Sequence, residues 1–248
     1  MSDHGTEPRD PATGAIATAR VLDHGFVELL DVLGGDRRCV AAARVSLRRE
    51  YLSLGSESAD QTARDQGLIE RLIRDRHTSP FEHAVFQFRV RAPILVVRQW
   101  FRHRFASYNE ESGRYVKLVD EFYLPDEFRA RSGKQMDYEY LPLPPEETAE
   151  VRATVAAFYD QARALYESLL ARGVAREQAR MVLPVAQYTS FFWTVNALSL
   201  MNFLHLRTAP TAQAEIRAYA VAIESMFRDR MPWTHAAFRA HWGAGMIS

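Results

Sequence analysis

The chain has 248 residues, 47% hydrophobic and 25% charged. This composition excludes wholesale disorder and lets a core form without covalent staples. Thirty-one Lys+Arg balance 31 Asp+Glu, which argues against a general nucleic-acid or membrane-surface binder and makes any anion site local. The lone cysteine, Cys39, excludes an intrachain disulfide and a multi-cysteine zinc site, and it suits a reducing cytoplasm. No apolar run approaches the ~20 residues that span a bilayer.

The polar, Pro- and Gly-containing start reads as a disordered leader over 1–15, and 16–248 reads as one domain without repeat or linker. Val21 to Leu33 opens the fold, and Asp36 starts a short helix through Cys39, Val40 and Val45. Asp60 to Arg76 is amphipathic, with Leu68, Ile69, Leu72 and Ile73 inward. Phe86, Phe88 and Val90 then alternate with Val85, Gln87, Arg89 and Arg91, the period of a strand. Pro93 suits the start of a helix to about Arg102. A polar loop follows, then an expected strand from Tyr115 to Tyr123 and an irregular, Pro-rich stretch over 124–145.

Val151, Val155, Phe158, Ala162, Leu165 and Leu169 mark a long helix stopped by Gly173. Helices are also expected over Arg176 to Leu183, Ala197 to Arg207, around Ile216, Ala220, Ile223 and Phe227, and from Trp233 to Trp242. Few strands among many helices, without βαβ alternation, give an α+β fold with a small antiparallel sheet.

Lys117 and Lys134 are the only lysines, so a solitary arginine carries little meaning and only clustered or apolar-embedded ones count. The densest cluster is Arg98-Gln99-Trp100-Phe101-Arg102-His103-Arg104, followed by Ser112, Gly113 and Arg114. Adjacent cations repel unless an anion sits among them, and guanidinium forks suit phosphate oxygens. The plainer reading is a basic helix C-terminus that offsets the macrodipole; the Ser-Gly-Arg loop tips the balance towards an anion site.

A second feature, Asn196 to Arg207, sets two amides and an arginine on an apolar helix with Arg207 close to Asn196 on the helical wheel. A ligand, a subunit interface or a structural hydrogen-bond network could each satisfy them. In His77-Thr78-Ser79-Pro80-Phe81-Glu82-His83 the histidines lack paired helical spacing, so a capped turn or a ligand-facing hydroxyl and imidazole is favoured over a metal. Neither a Rossmann glycine motif, a P-loop nor a nucleophile elbow is present.

Arg102-His103-Arg104, seven residues, then Ser112 resembles the R-H-R-x7-S signature of the flavin-dependent thymidylate synthases. The segments His77 to His83, Ser107 to Glu110, Ala179-Arg180 with Leu183-Pro184, and Asn196 to Arg207 are similar to that family too, so the resemblance runs from about Val21 to Trp242. It implies a homotetramer with active sites between subunits, and a thymidylate synthase-complementing-type fold. It also implies reductive methylation of dUMP to dTMP, with methylenetetrahydrofolate as one-carbon donor, NADPH-reduced FAD as hydride source, and tetrahydrofolate released.

By the same resemblance Ser79, Arg102, His103, Arg104, Glu110, Asn196 and Asn202 are flavin contacts. Gln99, Arg102, Ser112, Gly113, Arg114 and Arg180, with the backbone at Glu111, are dUMP contacts. Arg207, Ser112 and His77 stand at the chemistry: Arg207 polarises the uracil near N3, and His77 lies near folate and flavin. Leu198 departs from the pattern, because several relatives carry arginine there, and the flavin role is not transferred to it. Three other readings remain open on the residues alone. They are a single-strand nucleic-acid module using Trp100, Phe101, Phe105 and Tyr108, a different nucleotide-modifying enzyme, and a helical scaffold protein.

Overall fold

The computed structural model describes residues 10, 14–45, 58–115, 121–134 and 137–242. The expected leader falls mostly outside them. Its last residue, Ala15, is buried and its carbonyl accepts from Asp10 N–H at 2.8 Å.

Strands β1 (Ala17–Val21) and β2 (Gly25–Leu33) form a hairpin. Its turn needs a glycine at 25, because a Cβ there would lie 1.9 Å from the Tyr219 hydroxyl and 2.6 Å from the Val21 carbonyl. Helices α1 (Asp36–Ala43) and α2 (Ala59–Arg74) follow. Next come a 3-10 turn over Ser79–His83, strand β3 (Val85–Pro93), helix α3 (Ile94–Trp100) and strand β4 (Ser107–Glu110). Strands β5 (Arg129–Lys134) and β6 (Asp137–Pro142) precede α4 (Pro145–Ala171), α5 (Arg176–Ala179), β7 (Tyr188–Asn196), α6 (Ala197–Arg207), α7 (Ala214–Arg230) and α8 (Pro232–Trp242).

The main sheet has the order β1-β2-β3-β7-β4, every pair antiparallel, and β5-β6 is a separate hairpin. β3 and β7 pair from Val85↔Asn196 to Pro93↔Tyr188. Their shared face, Phe86, Phe88, Val90, Phe191, Trp193 and Val195, is buried under α6 and α7, whose Phe203, Leu204, Ile216, Tyr219, Ile223 and Phe227 are also fully covered. Trp100 closes this core, with its ring centroid 4.9 Å from Phe203, 5.2 Å from Trp193 and 5.4 Å from Phe191. Rings at these separations in edge and tilted arrangements add attraction beyond area burial. The last helix is held from the far end of the chain. Asp36 accepts from Trp233 N–H (2.8 Å), Thr234 N–H (3.0 Å) and the Thr234 hydroxyl (2.6 Å), so its carboxylate caps α8.

The α+β expectation holds, with three local corrections. The stretch 124–145 is not irregular, since it contains the β5-β6 hairpin. Ala130, Arg131 and Ser132 are all exposed, as are Tyr140 and Leu141, so no burial alternation exists for the sequence to show. The loop after α3 contains β4, and β7 lies where no element was expected. Within the expected strand from Tyr115 to Tyr123, residues 116–120 lie outside the described ones, and Phe122 makes one isolated bridge to Gln187. Along α4 the apolar stripe is only partly used: Ala162 and Tyr166 are buried, while Phe158 and Leu165 are exposed.

Candidate active site

Helix α3 ends by tightening. Phe101 N–H still reaches Val97 O, but Arg102 N–H donates to Gln99 O (3.3 Å) and His103 N–H to Trp100 O (3.0 Å), the pattern of a 3-10 turn. The Tyr108 hydroxyl, on β4, donates to His103 O at 2.7 Å and locks this turn. Arg102 and Arg104 project outward and His103 inward. The His103 ring stacks edge-on against Phe203 of α6 at 5.0 Å, and Arg207 Nε donates to its Nε2 at 3.1 Å. Arg207 Nη2 also reaches Gln99 O at 3.4 Å.

This pair fixes the imidazole chemistry. Nε2 is an acceptor, so the ring is neutral and carries its proton on Nδ1. Burial, and secondarily the Arg207 charge, pushes the His103 pKa down to about 4. Burial likewise lowers Arg207, yet a guanidinium stays charged throughout the physiological range. Among the described residues no ion pair engages Arg98, Arg102 or Arg104. Helix-dipole compensation accounts for one cation at this C-terminus; the remaining guanidinium groups beside half-buried Arg207 have the forks that could take a polyanion.

The seven-residue spacer of the signature is largely strand. β4 carries the chain ~13 Å, at about 3.4 Å per residue, from the arginine turn to the next loop. There Glu111 N–H donates to Ser190 O (2.9 Å) and its carboxylate accepts from Ser190 N–H (3.0 Å). Burial raises that carboxyl, and the Ser190 bond works against the rise. Glu110 accepts from the Thr189 hydroxyl at 2.8 Å. Ser112 Oγ accepts from Arg114 N–H at 3.4 Å, and Gly113 is buried within the turn. The Glu177 carboxylate meets Arg114 at 3.5 Å and so ties α5 to the Ser-Gly-Arg loop, and Arg180, just past α5, donates from Nε to the Glu177 backbone carbonyl at 3.4 Å. Ser112, Gly113 and Arg114, with Arg180 three residues beyond Glu177, form a second group that could take an anion.

A third group lies at the N-terminal end of α6. Asn196 ends β7 opposite Val85, and its Oδ1 accepts from Ser199 N–H at 2.8 Å, capping α6. The 3-10 turn bearing Ser79 packs on the same helix, tied through Ala197 N–H to Ala84 O at 2.8 Å. Ser79 and His77 are both exposed, and Asn202 is exposed on α6. The expected burial of two amides on this helix is therefore corrected. Asn196 is half-buried and satisfied as a cap, Asn202 faces outward, and Arg207 is half-buried. Eleven helical residues place the two ends of α6 ~16 Å apart. Leu198 packs against the core.

One chain thus joins Gln99, Arg102, His103, Arg104 and Arg207 in one group. It joins Glu110 to Arg114 with α5 and Arg180 in another, and Ser79 and Asn196 in a third, while no contact among the described residues brings the exposed His77 or Asn202 to them. Gln213 and Glu215, at the start of α7, were not anticipated: Gln99 Nε2 donates to Gln213 Oε1. An amide and a carboxylate two residues apart at a helix start carry no signal that separates them from ordinary first-turn residues.

A family described as thymidylate synthase complementing protein matches residues 28–233. The flavin-dependent thymidylate synthase of Thermotoga neapolitana is 50% identical over 218 residues, 88% of this chain and 92% of its own. That of Thermus thermophilus is 47% identical over 224 residues, 90% of this chain and 79% of its own. A crystal structure of the UMP/dUMP methylase PolB from Streptomyces cacaoi, bound with 5-Br UMP, superposes with a TM-score of 0.80 at 38% identity. It covers 91% of this chain and 97% of that one.

Proposed function

The chain belongs to the thymidylate synthase complementing protein family, and from that premise we propose how its residues divide the work. The activity is that of a flavin-dependent thymidylate synthase: dUMP, methylenetetrahydrofolate and NADPH, with one proton, give dTMP, tetrahydrofolate and NADP⁺. When bound, FAD supplies a reversible hydride carrier between NADPH and the pyrimidine. The donor set fits it, since Arg102 and Arg104 are exposed, adjacent and without ion pairs among the described residues, as a pyrophosphate requires.

Arg102 and Arg104 hold that pyrophosphate, with Ser79, Glu110, Asn196 and Asn202 as further flavin contacts. His103, committed at Nε2 to Arg207, offers Nδ1–H as a donor. Ser112, Gly113, Arg114 and Arg180, with the backbone at Glu111, take the dianionic phosphate of dUMP, and Gln99 and Arg102 contact the nucleotide. Arg207 stabilises negative charge near uracil N3, an attraction strengthened by its half-buried setting. His77 stands near folate and flavin. No enzyme nucleophile is needed, in keeping with Cys39, whose thiol burial pushes up to about 12.

The sites lie between subunits of a homotetramer built from a single catalytic unit over 16–248. The separation of the three groups along β4 and α6 supports this, because each group would be completed by another chain. Phe105 is 88% exposed and Met181 74%, apolar surface beside the first and second groups that a neighbour would cover. A cytoplasmic setting fits the single reduced thiol. Among the described residues no helix is long and apolar enough to cross a membrane.

The observation that carries the reading is the Arg207–His103 pair set beside Arg102 and Arg104, which have no ion pair among the described residues. Its test is an anaerobic visible spectrum of the protein with FAD, followed through NADPH and then dUMP with methylenetetrahydrofolate. Bleaching followed by recovery of the oxidised band with dTMP formed is the expected course. Flavin never retained, or bleached without any dTMP, refutes it.

A further inference from the structure

Glu215, in the first turn of α7, is 5% exposed and accepts from each polar group that meets it. The Tyr123 hydroxyl donates to Oε1 at 3.2 Å, Arg129 donates to the same oxygen, and Gln213 Nε2 donates to Oε2 at 2.8 Å. Facing a guanidinium, the carboxylate has acceptors and no donor. That settles which way the Gln213 amide lies. Its nitrogen turns to Glu215, so its oxygen turns away and accepts from Gln99 Nε2. Gln99 is oriented in turn, with one N–H used on Gln213 and Oε1 left as an acceptor. Its backbone carbonyl meanwhile receives Arg207 Nη2 at 3.4 Å, so the residue that carries the oriented amide borders the Arg207–His103 pair.

We propose that Glu215, through Gln213, is a positioning residue for the substrate: it sets the polarity of the Gln99 amide so that an oxygen acceptor meets an N–H or O–H donor of the pyrimidine nucleotide. The proposal rests on the reading of Gln99 as a dUMP contact. Two facing glutamines alone have two orientations of equal hydrogen bonding. A buried acceptor-only group behind one of them selects a single orientation before the nucleotide arrives, which is preorganisation.

The test pairs a variant that inverts the polarity with one that preserves it. Gln213→Lys is donor-only, so Gln99 must turn its oxygen inward and its N–H groups to the nucleotide. The exchange Gln213→Glu with Glu215→Gln still presents an oxygen to Gln99. Binding of dUMP, N3-methyl-dUMP and the 3′-deoxy analogue to the flavin-loaded proteins is measured by calorimetry, with flavin content and melting temperature recorded for each.

The parent should bind one analogue ~3- to 10-fold more weakly than dUMP, the worth of one hydrogen bond, and that analogue names the donor. Gln213→Lys should weaken dUMP by ~10-fold and lose the discrimination, whereas the exchange should restore both. A merely structural role would impair the two variants alike. Parent-like binding by Gln213→Lys, an exchange as impaired as Gln213→Lys, or a parent that treats all three ligands alike each overturns the polarity argument. A parent that binds no dUMP refutes the reading of the site itself.

Discussion

The Arg207–His103 pair makes stability depend on pH in a defined direction. To take a proton, His103 must give up the bond from Arg207 Nε at 3.1 Å and place a second cation against a guanidinium. Burial is the larger obstacle and Arg207 the smaller, and together they bring the ring from 6.5 to about 4. At about 1.4 kcal/mol per pH unit that gap corresponds to ~3 kcal/mol, and solvent reaching the half-buried ring reduces it to ~1–2 kcal/mol. Because the folded pKa lies below the unfolded one, the unfolded chain binds the extra proton in this interval. The stabilisation is complete above pH 6.5 and is lost as pH falls towards 4. The assay compares chemical-denaturation midpoints of the parent and of His103→Gln, which does not titrate, at pH 7, 5.5 and 4.5. The parent should lose ~1–2 kcal/mol more than the variant, and an imidazole NMR titration should place the ring well below 6.5. Curves that stay parallel, or a ring that titrates near 6.5, would refute the reasoning.

Other expectations follow from the same geometry. Arg207→Ala should abolish dTMP formation while leaving flavin content and bleaching by NADPH intact; turnover within ~3-fold of the parent removes its role at uracil. Asp36→Ala strips three hydrogen bonds from the start of α8 and leaves the fully buried Thr234 hydroxyl without its acceptor. It should cost ~2–3 kcal/mol, read as a lower melting temperature. Cys39 is fully covered and its thiol is pushed up to about 12. An aromatic disulfide reagent at pH 8 should therefore label it only after denaturant is added, and rapid native labelling would contradict the burial.

Where a residue's partner lies close in sequence, its structure was legible. The alternation of Phe86, Phe88 and Val90 names β3, and the run from Ala197 to Arg207 names α6 to the residue. β7 shows the same period in Phe191, Trp193 and Val195 against Ser190 and Thr194, but exposed Phe192 interrupts it. β5 and β6 gave no signal because Ala130, Arg131, Ser132, Glu139, Tyr140 and Leu141 are exposed on both faces of the hairpin. In the site, the arginine cluster and the Ser-Gly-Arg loop were plain from composition and order. Their separation was not, since a seven-residue spacer reads alike as loop or strand until β7 is known to pair with it. The wheel that grouped Asn196 with Arg207 treated a capping residue as a helical one, and Asn196 adopts extended dihedrals, φ −77° and ψ 161°. Glu215 gained its place from Arg129 and Tyr123, both remote in the chain.

The pairing of β3 with β7 also constrains how the protein is made. Val85 meets Asn196, and α8 is held by a carboxylate 198 residues away at Asp36. A nascent chain that has reached α4 has no cover for Phe88 or Trp100 and no partner for β4. Its sheet cannot close until the last third has left the ribosome. Such long-range closure slows folding and leaves apolar strand faces open in the meantime. Chains terminated before residue 188 should accordingly be insoluble or chaperone-bound, and refolding of the whole chain should be limited by this late closure rather than by the local helices.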